Sequence, residues 1–441
     1  MKEFPKLLIS NKKGNIQYLP EFQAVGMKGV ACVALEPEEL IPLHPDSELF
    51  MLPDRVPIGF DPINSKYIPV SSAVFDGKIK TCYAVSAFMA PGYTATYNAA
   101  YHETSKAKIL PLFSYSAVAY YKGGFYVTGM CVDREKRQVL ANMDLREIKN
   151  NVKVFRRMFP ENRLMRHLET CALCYGCPAA KNFFLQRYEG PLPASSSCNA
   201  LCLGCISYQE DKKCPVTQPR IKFTPTPEEI AQTAIFHIKN SNDPVVSFGQ
   251  GCEGEPLMVA DTLIQSVKLI RETTSKGIIN LNTNASKPKV VETLFMAGLN
   301  SIRVSMNSVR KKYYELYYRP IDYSFQDVLH SIKNAKKHNG FVSINYLVMP
   351  GFTDNKKELV ALLAFLEKYD IDMIQWRNLN YDPLKYFETL KIKSIPSEMV
   401  GIDIMIENVK KEVPKVMHGY FNPSKGRMRR ARKKWQVASG K

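Results

Sequence analysis

The sequence predicts an α/β protein in which a parallel sheet covered by helices follows a β-rich region. Two observations support this fold class. Between about residues 226 and 395, short and nearly continuous apolar strands alternate with helical segments, which is the pattern of buried parallel strands. Before residue 143, β-branched and aromatic runs are separated by Gly, Pro, Asn and Asp, which indicates a small barrel or sandwich. A chain of 441 residues is long enough for two or three domains.

The chain is expected to divide into four parts. Residues 1–143 form a β-rich accessory domain, and residues 144–190 form a basic helical linker that contains cysteines. Residues 191–395 contain the β/α alternation, and residues 396–441 contain a last helix and a basic tail. We interpret the first part as a substrate-recognition domain, with a packed scaffold as the alternative.

Six β/α units are expected in the third part. A capping box at Thr226 and Glu229, with Pro227 between them, opens the first helix. The segment before Cys198 serves as a first strand, and five more strands are expected at 244–248, 278–284, 301–308, 341–349 and 372–379. Six units are too few for a closed eight-stranded barrel, but they suit an open, curved portion of one.

Charge and hydropathy restrict the partners of the chain. The net charge is +18, and seven basic residues form one run near the C-terminus: Lys425, Arg427, Arg429, Arg430, Arg432, Lys433 and Lys434. This excess favours polyanionic partners such as RNA, although a solvated tail is the simpler interpretation. No apolar window reaches the roughly 18 to 20 residues of a membrane span, and the N-terminus lacks a secretory signal, so a cytoplasmic location without membrane contact is expected.

Seven of the eleven cysteines lie between Cys171 and Cys214, and this clustering indicates metal rather than disulfides. Cys171, Cys174 and Cys177 form a C-x2-C-x2-C motif, and Cys214 is the candidate for a fourth ligand. The spacing resembles the start of a ferredoxin-type run, so an auxiliary iron–sulfur cluster is favoured. Zinc remains the alternative, since closely spaced thiolates suit either metal.

A second cysteine motif, C-x3-C-x2-C, is formed by Cys198, Cys202 and Cys205. Three thiolates can hold three corners of a cuboidal iron–sulfur cluster and leave the fourth iron open for a small molecule. The sequence therefore predicts a reactive metal centre at this loop.

Polar residues end several of the predicted strands, where parallel sheets collect their ligands. Buried strands tolerate such groups only when a ligand or an internal network satisfies them. They include Thr283, Asn284, Ser305, Asn307, Asn345, Gln375, Arg377 and Asn378. The loop Gly249–Pro256 has G-x-G-x-x-G spacing, which suits a dinucleotide. The following strand lacks the acidic residue that would hold a ribose, and loop carbonyls with Glu255 would instead suit an amino group.

These motifs together resemble the radical S-adenosylmethionine (SAM) superfamily. Its cluster motif is similar to Cys198, Cys202 and Cys205, and its G-G-E-P motif is similar to residues 253–256. Its ribose motif on the fourth strand resembles Val304-Ser305-Met306-Asn307. Three residues depart from the family pattern: Gly204 replaces an aromatic residue, Glu253 replaces a glycine, and Asn307 replaces an acid.

The resemblance implies a partial (β/α)6 TIM barrel, a [4Fe-4S] cluster on the Cys198 motif, and SAM as cofactor. The residues expected to bind SAM are Gly254, Glu255, Pro256, Asn284, Ser305, Asn307 and Asn345. It further implies an electron donor such as flavodoxin or ferredoxin. Cys252 is a candidate catalytic residue, with a buried structural thiol as the alternative.

The substrate class is left open between RNA and a peptide or protein. RNA is suggested by the positive charge and by aromatic residues that would suit base stacking. A different class of hypothesis keeps the clusters as redox sensors in a non-enzymatic RNA-binding regulator, which would not turn over SAM.

Overall fold

A computed structural model describes residues 3–210, 214–393 and 395–431 of the chain. Arg432, Lys433 and Lys434 of the basic run lie outside these residues. Among the described residues, none of the helices combines the length and the apolar character needed to cross a membrane.

The N-terminal region is built from sixteen short strands that pair antiparallel. They are β1 Lys6–Ser10, β2 Ile16–Gln23, β3 Val25–Lys28, β4 Ala31–Ala34, β5 Leu40–Pro42, β6 Glu48–Met51, β7 Arg55–Asp61, β8 Lys66–Pro69, β9 Ser72–Phe75, β10 Lys78–Thr81, β11 Tyr83–Phe88, β12 Tyr93–Ala95, β13 Asn98–Ala99, β14 Tyr101–Glu103, β15 Val118–Tyr121 and β16 Gly124–Cys131. Eleven of them form one sheet around β1, β2, β15 and β16, and the others form a hairpin and a three-stranded sheet. The predicted β-rich region is thus confirmed.

Three helices follow this region: α1 Leu145–Met158, α2 Arg163–Leu173 and α3 Pro178–Phe184. Ile148, Val152 and Phe155 form the buried side of α1, where they pack with Phe183 and Phe184 of α3. The three helices therefore share one small apolar cluster.

The second half of the chain is a curled, parallel, seven-stranded sheet. Its strands are β17 Glu189–Pro191, β18 Val245–Phe248, β19 Ile278–Thr283, β20 Ser301–Met306, β21 Phe341–Val348, β22 Met373–Asn378 and β23 Met417–Gly419. The accompanying helices are α4 Pro227–Asn240, α5 Ala260–Thr273, α6 Pro288–Ala297, α7 Lys311–Tyr318, α8 Phe325–Lys337, α9 Lys356–Lys368, α10 Pro383–Thr389 and α11 Ile402–Glu412. Short 3-10 helices occur at Pro37–Glu39, Lys136–Gln138, Leu140–Asn142, Pro256–Val259 and Pro396–Glu398.

The strand order β17 to β23 follows the chain order, and every neighbouring pair is parallel. This is the half-barrel that the β/α alternation predicts. The predicted capping box at Thr226 also opens α4, where Thr226 Oγ1 accepts from the Glu229 N–H. The seventh strand, β23, was not predicted, because three residues after a long helix give no periodic signal.

The β-rich region packs against the carboxyl end of β22. Asn378 accepts a hydrogen bond from the Ala95 N–H at 2.8 Å, and its amide donates to the Tyr93 carbonyl at 3.0 Å. Arg55, almost fully buried, forms an ion pair with Asp382 just before α10. Since ligands of parallel sheets collect at this edge, the N-terminal region lies beside the expected site.

Candidate active site

The segment 195–205, here called the cysteine loop, is fastened on both sides. On one side the N–H groups of Leu201 and Leu203 donate to the carbonyls of Tyr318 and Tyr317, at 3.1 and 3.0 Å. These are among the last carbonyls of α7, which have no partner within their own helix. The C-terminal turn of α7 thus holds the loop that contains the three cysteines.

On its other side the cysteine loop pairs with the loop after β18. The Gly254 N–H donates to the Ser195 carbonyl at 2.7 Å, and the Glu255 N–H donates to the Ser197 carbonyl at 2.8 Å. A Cβ at position 254 would stand 1.9 Å from the Ser197 carbonyl oxygen. Only glycine therefore allows the two loops to approach this closely.

Glu253 joins the same two loops through its carboxylate. One oxygen accepts from the N–H groups of Gly249 and Gln250, at 2.6 and 2.9 Å, and the other accepts from those of Ala194 and Ser195, at 2.8 and 3.1 Å. Burial raises the pKa of Glu253 to about 7, against the four N–H donors, which favour the ionised form. In the sequence Glu253 stands where the family motif has a glycine. In the structure its carboxylate holds the cysteine loop and the loop after β18 together.

Glu255 lies at the start of the 3-10 helix Pro256–Val259. Its carboxylate accepts from the Leu257 and Asn284 N–H groups, at 3.1 and 2.8 Å, and from the Thr283 hydroxyl at 2.5 Å. A carboxylate has about four acceptor positions, so one remains for a ligand. Burial raises the pKa of Glu255 to about 7.

A pocket opens between the two loops and the strand ends. It brings together most of the residues predicted to bind SAM and the cluster on the cysteine loop. Its lining is Cys198, Ala200, Cys202, Gly249, Gly254, Glu255, Pro256, Asn282, Thr283, Asn284, Arg303, Ser305 and Tyr318. Cys205, Asn307 and Asn345 are not part of this lining. The buried Asn307 amide instead donates to the Tyr313 carbonyl and the Tyr386 hydroxyl, both at 3.1 Å.

The three cysteines of the loop interact electrostatically. Burial raises the pKa of Cys198 to about 11, with the Glu255 charge adding to the effect. Burial also raises the pKa of Cys202, and the charges of Cys205 and Cys198 raise it further. Arg220 approaches Cys205, with Nη2 at 3.7 Å from Sγ. Burial and the neighbouring charges thus keep the Cys198 and Cys202 thiols protonated, and binding to iron removes the protons, so three cysteines on one loop fit the three protein ligands of an iron–sulfur cluster.

Gly204, the residue that departs from the family pattern, is explained by its surroundings. A Cβ at this position would stand 2.7 Å from the Tyr317 hydroxyl and 3.0 Å from the Asn380 carbonyl. Tyr317 therefore fills the space into which a side chain at 204 would project. The neighbouring Tyr318 lines the pocket, and its buried hydroxyl has no hydrogen-bond partner among the described residues.

The inner face of the half-barrel is polar. Arg303 of β20 donates to Gln375 of β22 at 3.2 Å, and Gln375 donates to Asn422 at 2.9 Å. Three buried polar atoms on this face have no partner among the described residues: Arg303 Nε, Asn282 Nδ2 and Asn345 Oδ1. Such orphaned groups require an explanation, and a bound polar ligand supplies it. Arg303 is not among the residues that the sequence motifs predict, although its place two residues before Ser305 puts both on one face of β20.

The other cysteines do not group as the spacing suggests. Cys214 is buried in the main core, with Sγ 3.4 Å from the Leu110 carbonyl oxygen, and is not brought to the C-x2-C-x2-C motif. Cys174 is exposed, whereas Cys171 is buried. Cys252 lies beside Cys171 in the apolar cluster of α1 to α3, away from the lining of the pocket.

Residues 192–363 match a family model described as the Radical SAM superfamily. No curated protein sequence matches the chain. Among solved structures, anSMEcpe with bound AdoMet is 17% identical with a TM-score of 0.35, over 44% of this chain and 52% of that one. HydG, a maturase of the [FeFe]-hydrogenase, is 16% identical with a TM-score of 0.37, over 63% of each chain. HemN from Escherichia coli is 14% identical with a TM-score of 0.36, over 54% of this chain and 57% of that one.

The chain thus spans between half and two thirds of the length of these structures. The family match covers the cysteine loop, the loop with Glu253 and Glu255, and strands β18 to β21. A radical SAM domain implies a [4Fe-4S] cluster and SAM as cofactors, which agrees with the donor set described above. Residues 192–363 of the chain therefore form a radical SAM domain.

Proposed function

We propose that Cys198, Cys202 and Cys205 hold the [4Fe-4S] cluster and that SAM occupies the adjoining pocket. When bound, the cluster supplies the electron that splits a carbon–sulfur bond of SAM, giving methionine and a 5'-deoxyadenosyl radical that removes a hydrogen atom from the substrate. One observation carries the proposal: the loop with the three cysteines is hydrogen-bonded directly to the loop that contains Gly254 and Glu255. The proposed cluster ligands and the proposed cofactor ligands therefore lie on two loops that are hydrogen-bonded to each other.

The protein's contribution is to bind and orient. The remaining acceptor position of Glu255 suits the amino group of SAM, and the positive charge of that group favours the ionised carboxylate. Asn284 donates through its side chain to Asn199 of the cysteine loop at 2.9 Å, which fixes the pocket wall. We assign the ribose to Ser305 and the unpaired amide of Asn282, and the adenine to Tyr318. Asn307 and Asn345, which lie outside the pocket lining, are further proposed SAM ligands.

We further propose that the substrate has an anionic group. Arg303 forms no ion pair with any described residue, and burial, followed by the charge of Arg377, lowers its pKa to about 9. Arg377 stacks over Tyr420, with the guanidinium carbon 3.9 Å from the ring centroid. A phosphate or carboxylate between the two guanidinium groups would relieve their repulsion and satisfy Arg303 Nε.

RNA is the substrate that the net charge favours, with a peptide as the second candidate. Within the basic run, Arg427 is engaged in an ion pair with Asp133 at 2.8 Å, and Met428 is buried. Arg429 and Arg430 are exposed and free to meet phosphates. If RNA is bound there, the double variant Arg429→Ala/Arg430→Ala should bind tRNA with a shallower salt dependence, by about 2 units in the slope of log K against log [salt]. An unchanged slope would favour the peptide.

The experiment for the proposed function is SAM cleavage by the full chain. After anaerobic reconstitution with iron and sulfide, dithionite and SAM should yield 5'-deoxyadenosine and methionine in equal amounts. Reduced flavodoxin or ferredoxin should replace dithionite, as the proposed electron donors. Cys198→Ala should abolish the product, whereas Cys174→Ala, at an exposed cysteine outside the loop, should retain it. Product formation by Cys198→Ala at the rate of the unaltered chain would reject the cluster assignment.

A further inference from the structure

A second group of metal-binding side chains lies outside the pocket. His167 and Cys171 stand four residues apart on α2, and Cys252 belongs to the loop after β18. The ligand atoms of these three residues all lie within 4.8 Å of one another. We propose that His167, Cys171 and Cys252 bind one zinc ion, with Cys177 as the fourth ligand. We call these four residues the His–Cys cluster.

The helix provides the first two ligands. Residues at i and i+4 lie on one face of a helix, and His167 Nε2 is 3.4 Å from Cys171 Sγ. Tetrahedral zinc, with zinc–sulfur bonds of about 2.3 Å, places its ligand atoms roughly 3.5 to 3.8 Å apart. The gathered side chains therefore need only small movements to close around one ion. A cuboidal iron–sulfur cluster would require its sulfurs much further apart, because four irons stand between them.

Cys177 is positioned by the chain that links α2 to α3. Its N–H donates to the Cys171 carbonyl at 2.9 Å, which folds the link back over the first cysteine. The Gln218 side chain lies against the thiols of both Cys171 and Cys177. Its buried Nε2 has no hydrogen-bond partner among the described residues. A donor aimed at cysteine sulfurs is satisfied once these are metal-bound thiolates, so Gln218 is a second sign of a ligand.

Burial distinguishes the members from the rest of the motif. Cys171 is 1% exposed and Cys252 is 2% exposed, whereas Cys174 points to solvent. The zinc site therefore uses only two of the three motif cysteines. His167 and Cys252 take the places that the sequence assigns to Cys174 and Cys214.

The ion would connect two parts of the molecule. Cys252 immediately precedes Glu253, Gly254 and Glu255, and its carbonyl accepts from the Ile221 N–H at 2.7 Å. Zinc bound here ties α2 and α3 to the loop that lines the cofactor pocket. The site is structural, since all four positions are occupied by protein ligands and none is left for a substrate.

The test measures metal in the full chain with the cysteine loop disabled by Cys198→Ala, Cys202→Ala and Cys205→Ala. In this background all bound metal belongs to the second site, independently of SAM chemistry. Mass spectrometry of the purified protein should find about one zinc per chain. Cys252→Ser or His167→Ala should lower it at least tenfold, and Cys174→Ser should leave it unchanged.

Cobalt provides a readout that needs no substitution in the His–Cys cluster itself. Cobalt added to the zinc-depleted triple variant Cys198→Ala/Cys202→Ala/Cys205→Ala should give the absorption of a tetrahedral thiolate site, with sulfur-to-cobalt charge transfer. Three results would overturn the proposal: iron instead of zinc, metal lost with Cys174→Ser, or a Cys171–Cys252 disulfide that survives under reducing purification.

Discussion

The two cysteine groups of this chain differ in burial, in shape and in their neighbours. The cysteine loop faces an open pocket, contains no histidine, and is held at its backbone by α7 and by the loop after β18. The His–Cys cluster lies in an apolar cluster of helices and includes His167. The cysteine loop is one closely spaced motif in the sequence, whereas the His–Cys cluster takes only Cys171 and Cys177 from such a motif. The difference teaches that spacing selects candidates for metal binding, whereas burial and neighbouring donors decide which metal and which role.

The first comparison removes one ligand from each group. Cys198→Ala should lower SAM cleavage by at least about 100-fold, because the cluster loses one of only three protein ligands. Cys252→Ser should keep the iron and lower cleavage by less than about 10-fold, mainly through a higher KM for SAM. Iron content and 5'-deoxyadenosine yield measure both effects. Equal loss of iron in the two variants would indicate that both groups of residues bind the same metal centre.

Glu253 follows Cys252 of the His–Cys cluster and binds the backbone of the cysteine loop, so its removal should destabilise the folded protein. Glu253→Gln places an amide NH2 against backbone N–H donors, so it should lower the free energy of unfolding by about 3 kcal/mol. A fall of several degrees in Tm would measure this. Glu272→Gln on α5, at an exposed position, is the matched control and should stay within about 0.5 kcal/mol. Equal Tm values for the two variants would show that Glu253 does not stabilise the contact between the loops.

The buried residue His418 should make the folding stability of the protein depend on pH. His418 accepts a hydrogen bond from Trp376 Nε1 at Nδ1, at 2.9 Å, and burial lowers its pKa to about 4. The unfolded chain takes up this proton below about pH 6.5 and the folded chain does not. The contribution is therefore complete above pH 6.5 and is lost as the pH falls toward 4, by about 2 kcal/mol at pH 5.

His418→Asn keeps an acceptor for Trp376 but cannot be protonated. Urea unfolding at pH 7 and pH 5 should therefore show a smaller acid loss for this variant. His102→Asn, at an exposed position, is the control and should retain the full pH dependence. His237, whose pKa burial lowers to about 4, accounts for part of what remains. An identical pH dependence in His418→Asn and the unaltered chain would contradict the assignment.

The close approach of the two pocket loops gives the smallest expected effect. Gly254→Ala forces the chain away from the Ser197 carbonyl and should weaken SAM binding by about tenfold. Calorimetric titration of the reconstituted protein measures this. Gly124→Ala should not change binding, because the nearest atom to its Cβ would be 3.9 Å away. Equal affinities in the two variants would show that the loops can separate without harm to the pocket.

The fold could be predicted because the local sequence pattern of each segment indicates its secondary structure. Apolar strands followed by capped helices, as at Thr226 and Pro227, predict the parallel sheet without any tertiary information. The edge strand Met417–Gly419 could not be predicted, since its three residues become a strand only by pairing with β22. The motif-based prediction of the superfamily is confirmed by the match over residues 192–363.

The site was only partly readable from the sequence, because several of its contacts join distant residues. Cys198, Gly254 and Glu255 carry motifs and do line one pocket. Cys252 and Cys171 are 81 positions apart, and only packing of α2 against the loop after β18 brings them together. The role of Glu253 could not be predicted, because its carboxylate binds four backbone N–H groups and no sequence motif specifies such contacts.

Anomalous diffraction from crystals of the reconstituted full chain tests the central claim most directly. Data recorded at the iron and zinc absorption edges locate each metal separately. The account predicts iron beside Cys198, Cys202 and Cys205, and a single zinc peak between His167, Cys171 and Cys252. Iron at both places, or no metal at the cysteine loop, would contradict it.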